Sequence, residues 1–192
     1  MATEPFEIMT GVGRLYIAEV GTAFPDLDDA PLGTWRDLGY TQDGVTVTME
    51  QEIEQFFVDQ ENGPVKEGRT EERILVATAL AEATLENLAD ILGQTVTTTA
   101  PGVGTIGTKE VLLRRGATIK TFALMFRGES AYGNFPAQYE IPRGYFTGNL
   151  EMEDTKDGNR QYNIEFAATV NKNGATDIEK YGRLIMQHAA AS

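Results

Sequence analysis

Between residues 45 and 57 the chain reads VTVTMEQEIEQFF, and its side chains alternate in character with a period of two. The odd positions are Val45, Val47, Met49, Gln51, Ile53, Gln55 and Phe57, and the even ones Thr46, Thr48, Glu50, Glu52, Glu54 and Phe56. Successive side chains of a strand leave opposite faces, so Glu50, Glu52 and Glu54 project on the same side. ENGPVKEGR then interrupts the run, and TEERILVATALAEATLENLADILG returns the chain. A lone two-stranded ribbon with an acidic face has no reason to be stable in water. The strand is therefore expected to complete its sheet with copies of itself, leaving the acidic face toward water.

The rest of the chain supplies a domain for such a ribbon to grow from. At 192 residues it is expected to be one domain spanning 1–192, with a hairpin arm at about 43–80, a helix at about 84–92 and a C-terminal arm at about 175–192. Residues 11–22, with Leu15, Ile17 and Val20, suggest a first strand; AFPDLDDAPLGTW suggests a loop. Residues 71–92 could form one helix by propensity alone, since Ala, Leu and Glu dominate. The β-branched, alternating ILVAT argues instead for a strand over 73–80 and a helix over 84–92, with Thr84 as N-cap and Gly93 just past the C-terminus. Leu85, Leu88, Ala89 and Leu92 make its apolar stripe.

Residues 94–108 suggest a polar Thr/Gly linker, and 110–114 with 118–126 a hairpin around Gly116-Ala117. Residues 138–141 suggest a short strand, with Pro142 marking an edge or an end, and 145–152 another, with Phe146, Leu150 and Met152 on one face. After a turn at Asp157-Gly158, residues 161–170 alternate, with Tyr162, Ile164, Phe166, Ala168 and Val170 expected inside. In the tail, Ile178, Tyr181 and Leu184 could dock on a neighbour. Many antiparallel strands with one short helix define the fold class: mainly β (α+β), an antiparallel sandwich or barrel with one flanking helix.

Composition narrows the function. Acids outnumber bases 29 to 16, for a net charge of −13, which argues against a protein that grips nucleic acid through its phosphates. Either the acids form a solubilising surface, or they line something a polyanion must pass without sticking. There is no cysteine, which excludes disulfides, thiolate metal sites and a Cys nucleophile. No apolar run approaches the roughly 20 residues needed to span a bilayer, and MATEPFEIMTGVG lacks the features of a signal peptide, so a soluble, unexported chain without a membrane anchor is expected.

Catalytic chemistry has little to stand on. The single histidine, His188, rules out His-based triads and multi-His metal sites. Asp26, Asp28 and Asp29 lack the turn Gly and distal Glu of an EF-hand. Gly102, Gly104 and Gly107 precede Thr108-Lys109 without the Gly-Lys-Ser/Thr ending of a phosphate loop. Carboxylates on an exposed strand face are poorly placed to have their pKa raised by burial, as glycoside chemistry would require. No enzyme activity, cofactor or metal is expected.

The segments WRDLGYTQDGVTVTMEQEIEQFFVDQENGPV and ILVATALAEATLENLADILG resemble the major tail tube protein of long-tailed, non-contractile bacteriophages. The resemblance lies in the order and spacing of the Trp-x-Asp-Leu-Gly-Tyr-Thr run, the Asp-Gly-Val turn, the Asp-Gln…Gly-Pro-Val loop and the Thr-Leu-Glu-Asn-Leu helix. GVGRLYIAEVGTAFP fits the family's opening, and the match is strongest over residues 11–93. It implies a β-sandwich with a flanking helix that assembles into stacked hexameric rings, each subunit lending a hairpin to a continuous barrel. The implied role is the conduit for DNA ejection in the virion tail, assembled in the host cytoplasm. The implied partners are a tape-measure protein, a tail terminator, tail-tip proteins and genomic DNA in transit without specific binding.

Within that resemblance, Glu50, Glu52 and Glu54 are the expected lumenal row, with Glu67 and Glu71 on the return strand. The alternative is that these acids face outer solvent and keep the tube soluble. Gln60, Asn62, Pro64 and Val65 are the expected inter-ring contacts, and residues 94–108 are expected outside the lumen wall. Two other readings remain: a non-polymerising ring protein of the same fold (tail terminator, tail tip or baseplate hub), and a soluble ligand-binding β-sandwich using Trp35 and the tyrosines.

Overall fold

A computed structural model describes residues 13–31, 33–150, 152 and 160–190. The elements, in order, are β1 (Arg14–Glu19), β2 (Arg36–Asp37), β3 (Thr41–Phe56), β4 (Lys66–Leu80), α1 (Leu85–Leu92), β5 (Thr97–Thr99), β6 (Thr108–Glu110), β7 (Phe122–Glu129), β8 (Pro136–Thr147), β9 (Tyr162–Ala168), α2 (Asp177–Tyr181) and β10 (Arg183–Met186). The fold is mostly β and antiparallel, and the sheet is not closed within one subunit.

The main sheet runs β2-β1-β7-β8-β9-β4-β3, with β10 added beside β8. β8 changes partner along its length: Ala137 to Glu140 pair with β10, and Gly144 to Thr147 pair with β9. Pro142 lies between those stretches, where the β7–β8 register also shifts between Phe122 and Leu124. A proline cannot donate to a ladder, so it suits a point where the strand is handed from one neighbour to another. Pro142 therefore does not end a short strand; one 12-residue strand passes through it and joins the two parts of the sheet.

The core lies where these parts face each other. Leu15 and Ile17 of β1, Leu124 of β7, Ile141 and Phe146 of β8, Ile164 and Phe166 of β9, and Val76 and Leu80 of β4 form one buried cluster. Phe146 and Phe166 meet edge to face at 5.3 Å, a geometry that aromatic quadrupoles favour. Gly144 is required beside them, because a Cβ there would lie 2.3 Å from the Phe166 ring and 2.5 Å from the Ala167 carbonyl. Tyr162, Ile164 and Phe166 face in as their alternation indicates, but the strand stops at Ala168 and Val170 is exposed.

α1 closes the core with Leu88, Ala89 and Ile91, while Leu85 and Leu92 pack at its margin. The Thr84 hydroxyl accepts from the Asn87 N–H, and Gly93 takes the left-handed conformation (φ 68°) that lets its N–H reach Ala89 and Asp90. The buried Asn87 ties the helix to the start of the hairpin. Its amide donates to the Leu38 and Glu82 carbonyls at 3.0 Å, and its Oδ1 accepts from Arg36 at 2.6 Å.

Ala18, Trp35, Ala123 and Met125 form a second cluster, with Tyr16 and Phe24 packed against it. The Trp35 indole donates to the Ala23 carbonyl at 2.8 Å, so this tryptophan, 6 % exposed, is a core residue. Arg127 holds the acidic loop by its backbone, donating to the carbonyls of Asp26 and Asp29 at 2.8 and 2.5 Å.

Three expectations change in the middle of the chain. Residues 94–108 are not a plain linker, because β5 and β6 pair as a small separate ribbon. The hairpin expected from 110–114 and 118–126 does not form: β6 pairs backward with β5, and β7 takes β1 and β8 as neighbours. The strand expected over 145–152 ends at Thr147, with Gly148 left-handed (φ 76°) and Met152 exposed. The Asp157-Gly158 turn lies outside the described residues.

Candidate functional site

β3 and β4 outrun the body. β9 pairs with residues 75–80 of β4, so among the described residues, 66–74 have no strand neighbour besides β3. At about 3.3 Å per residue those nine residues project roughly 30 Å. The outer edge of β3 is the end of the sheet, so the projecting ribbon has two free edges. Every residue from 48 to 67 is exposed.

The register distributes the side chains between two faces, because residues directly opposite share a face. On one face Glu50 stands opposite Arg73, Glu52 opposite Glu71, Glu54 opposite Gly68 and Phe56 opposite Lys66. On the other, Val47 stands opposite Val76, Met49 opposite Ile74, Gln51 opposite Glu72, Ile53 opposite Arg69 and Gln55 opposite Glu67. This second face continues the core face of the body outward, and Met49 and Ile53 remain 70 % and 53 % exposed on it.

The structure thus brings Glu50, Glu52, Glu54 and Glu71 to one face and places Glu67 on the other. Simple alternation back from Glu71 would have kept Glu67 with the rest. The register shifts by one residue between Glu52 and Ile53, leaving Thr70 unpaired in a bulge, and everything beyond it changes side. The Thr70 hydroxyl donates to the Glu52 carbonyl at 3.3 Å. A second bulge at the base places Asp43 and Gly44 at positive φ (63° and 79°), so the Asp-Gly-Val segment kinks a continuous strand instead of reversing the chain.

The acidic face also holds cations that inspection of the carboxylates alone passes over. Arg73 donates to Glu71 at 2.6 Å and stands across from Glu50. On the other face Arg69 donates to Gln51 at 3.0 Å and lies 3.8 Å from Glu72. Among the described residues no group of three or more His, Asp or Glu side chains is arranged to hold a metal ion.

At the far end, Gln60, Asn62, Pro64 and Val65 come together in the connection between the strands, all exposed. The Val65 N–H donates to the Phe56 carbonyl at 2.9 Å and the Glu61 N–H to the Val58 carbonyl at 3.3 Å. Phe57 and Val58 stand exposed beside them. The signal for these two was present as a run of three apolar residues, Phe56 to Val58, at the point where alternation ends. In the C-terminal arm, β10 docks on its own β8, with Arg183 bonded to the buried Glu140 at 2.8 Å, and Ile178, Tyr181 and Leu184 remain exposed.

A family profile described as phage tail tube protein matches residues 1–188. The chain belongs to that family. As a tail tube protein it is a structural component of the virion tail. The chain is also similar, at 11 % identity over 88 % of its length and 95 % of the other chain, to a solved structure described as the tail of an empty GTA particle, computed with helical refinement and C6 symmetry. The TM-score of that similarity is 0.23, too low to carry a structural argument. A search among curated proteins found no significant match.

Proposed function

We propose that this tail tube protein assembles into stacked hexameric rings whose projecting hairpins join side by side into a continuous barrel, the conduit for DNA ejection. The observation that carries this reading is the ribbon itself: two long strands with both edges unpaired and large apolar side chains in water. A ribbon of this kind is marginal alone, and closure with neighbours is the one full remedy for open edges.

In that barrel the face carrying Glu50, Glu52, Glu54 and Glu71 lines the bore, and the face carrying Met49 and Ile53 packs against neighbouring subunits. The continuity of the second face with the core side of the body supports this assignment. A carboxylate wall repels phosphates and lets DNA slide without adhering. At physiological salt the screening length is about 8 Å, so the repulsion acts in a layer next to the wall. Arg73 and Lys66 temper it without reversing its sign. The role is mechanical and non-enzymatic, with the tape-measure protein, terminator and tip proteins as contacts along and at the ends of the tube.

Negative-stain microscopy of the concentrated protein, with sedimentation velocity alongside, tests the reading. Rings or hollow tubes of uniform diameter are expected. Replacing residues 58–65 by a two-residue turn is expected to leave folded subunits that no longer stack; normal tubes from that variant would contradict the role given to Gln60, Asn62, Pro64 and Val65.

A further inference from the structure

Within this strongly acidic chain one segment has the opposite sign. Residues 94–121 carry Lys109, Arg114, Arg115 and Lys120 against a single acid, Glu110, while the whole chain stands at −13. All four cations are exposed. Lys109 and Lys120 are paired inward to α1, at 2.6 Å from Glu86 and 3.4 Å from Asp90. The Arg114 carbonyl accepts from the Gln94 side-chain amide at 2.9 Å, but among the described residues no hydrogen bond or ion pair engages the guanidinium of Arg114 or Arg115. The segment is also rich in exposed apolar side chains, with Leu112, Leu113 and Ile119 near the arginines and Val103 and Ile106 at its tip.

The projecting hairpin has the complementary character. Around its tip and on the face shared with Met49 and Ile53 lie Asp59, Glu61 and Glu67, none of which has a side-chain ion pair among the described residues. Phe57, Val58 and Val65 add apolar surface beside them. The bulge at Thr70 is what puts Glu67 here. Among the described residues of one subunit the basic segment makes its ion pairs with α1 and none reaches the hairpin.

We infer that the basic segment 94–121 is the docking surface for the hairpin tip of a second copy of this chain, with Arg114 and Arg115 receiving Asp59, Glu61 and Glu67. Apolar side chains around both sets supply the dry centre, and the charges around it set register and exclude the inverted arrangement. The contact is heterologous, acidic tip on one copy and basic segment on the next, so it propagates instead of closing on itself as a pair. This rests on the self-assembly proposed above and names the surfaces that perform it.

The test uses two full-length variants, R114E/R115E and D59K/E61K/E67K, examined singly and mixed. Every substituted residue is exposed, so both are expected to keep the wild-type circular dichroism and melting temperature. Each alone is expected to need at least about tenfold more protein than wild type to assemble, because like charges then face each other. An equimolar mixture is expected to recover assembly, since the acidic tips of the first variant meet the arginines of the second and its lysines meet the new glutamates. The mixture separates contact from net charge, which the two variants shift in opposite directions. Wild-type assembly from either variant alone, or a mixture that fails while both components are folded, would overturn the assignment and leave the tube reading standing. A wild-type chain that never assembles would bring down both.

Discussion

Glu52 stands directly across the hairpin from Glu71, and Arg73 on the same face donates to Glu71 at 2.6 Å. Two like charges directly opposite each other in an antiparallel pair are destabilising. The free subunit thus carries a local conflict, which the proposed tube explains as the cost of a dense row of carboxylates facing the bore. Replacing Glu52 by Thr, a good strand former without charge, is expected to tighten the free hairpin. Hydrogen exchange at amides 50–54 of the unassembled protein should slow about twofold or more, and added salt should slow the wild type toward the variant. Unchanged exchange in the variant would mean that the pair costs the free hairpin nothing.

The bulge at Thr70 makes a register prediction that can be tested by cross-linking. Gln55 and Glu67 are directly opposed, whereas an unbulged ladder would oppose Phe56 and Glu67. Opposed Cα atoms lie about 4.5–5.5 Å apart, within the reach of a disulfide, while residues on opposite faces cannot be bridged. The chain has no cysteine, so the background is clean. Mild oxidation should close Q55C/E67C and leave F56C/E67C with free thiols, read by mass spectrometry after alkylation; the reverse pattern would place Glu67 back among Glu50, Glu52 and Glu54.

In the proposed tube, Met49 and Ile53, both exposed in the free subunit, are the apolar side chains that pack against a neighbour. Full burial of such a side chain is worth about 1.5–3 kcal/mol. Because both are exposed in the free subunit, M49S and I53S should leave its melting temperature nearly unchanged. Each should raise the concentration needed for assembly about tenfold, measured by sedimentation velocity across a dilution series. An equal effect of E54Q would remove the distinction between the two faces.

The basic segment is held to α1 by a tie that responds to pH. The hydrogen bond from Lys109 draws the Glu86 carboxyl below its ordinary value. A carboxyl depressed by folding contributes its stability above its unfolded value, near 4.3, and loses it as pH falls through the lower folded value. Exchange at amides 108–110 should therefore be slow at pH 6 and rise on acidification below about 4. The variant E86Q should show the faster exchange already at pH 6, once intrinsic rates are corrected. A wild type and variant that behave alike at pH 6 would show the tie to be ornamental, as many exposed ion pairs are.

Much of this architecture was legible in the chain. The alternation after Val45 specified the long strand and its acidic row, and Thr84 and Gly93 bracketed α1 because capping is local chemistry. Tyr162, Ile164 and Phe166 declared their face by period two. What was not legible depended on partners distant in sequence. Nothing near Pro142 announces that β8 is shared between β9 and β10, and the 110–114 stretch reads as strand until β7 is seen to be paired elsewhere. A one-residue bulge leaves no mark in composition, yet it decided the side on which Glu67 stands.

The central claim is that the hairpins of neighbouring subunits form a tube wall with the Glu50, Glu52 and Glu54 row facing inward. A cryo-electron-microscopy reconstruction of the assembled protein tests it in one measurement. Hollow tubes are expected in which the hairpins are paired edge to edge and these three carboxylates, with Glu71, line the bore. Tubes with these side chains on the outer surface, or hairpins left unpaired in the wall, would contradict it.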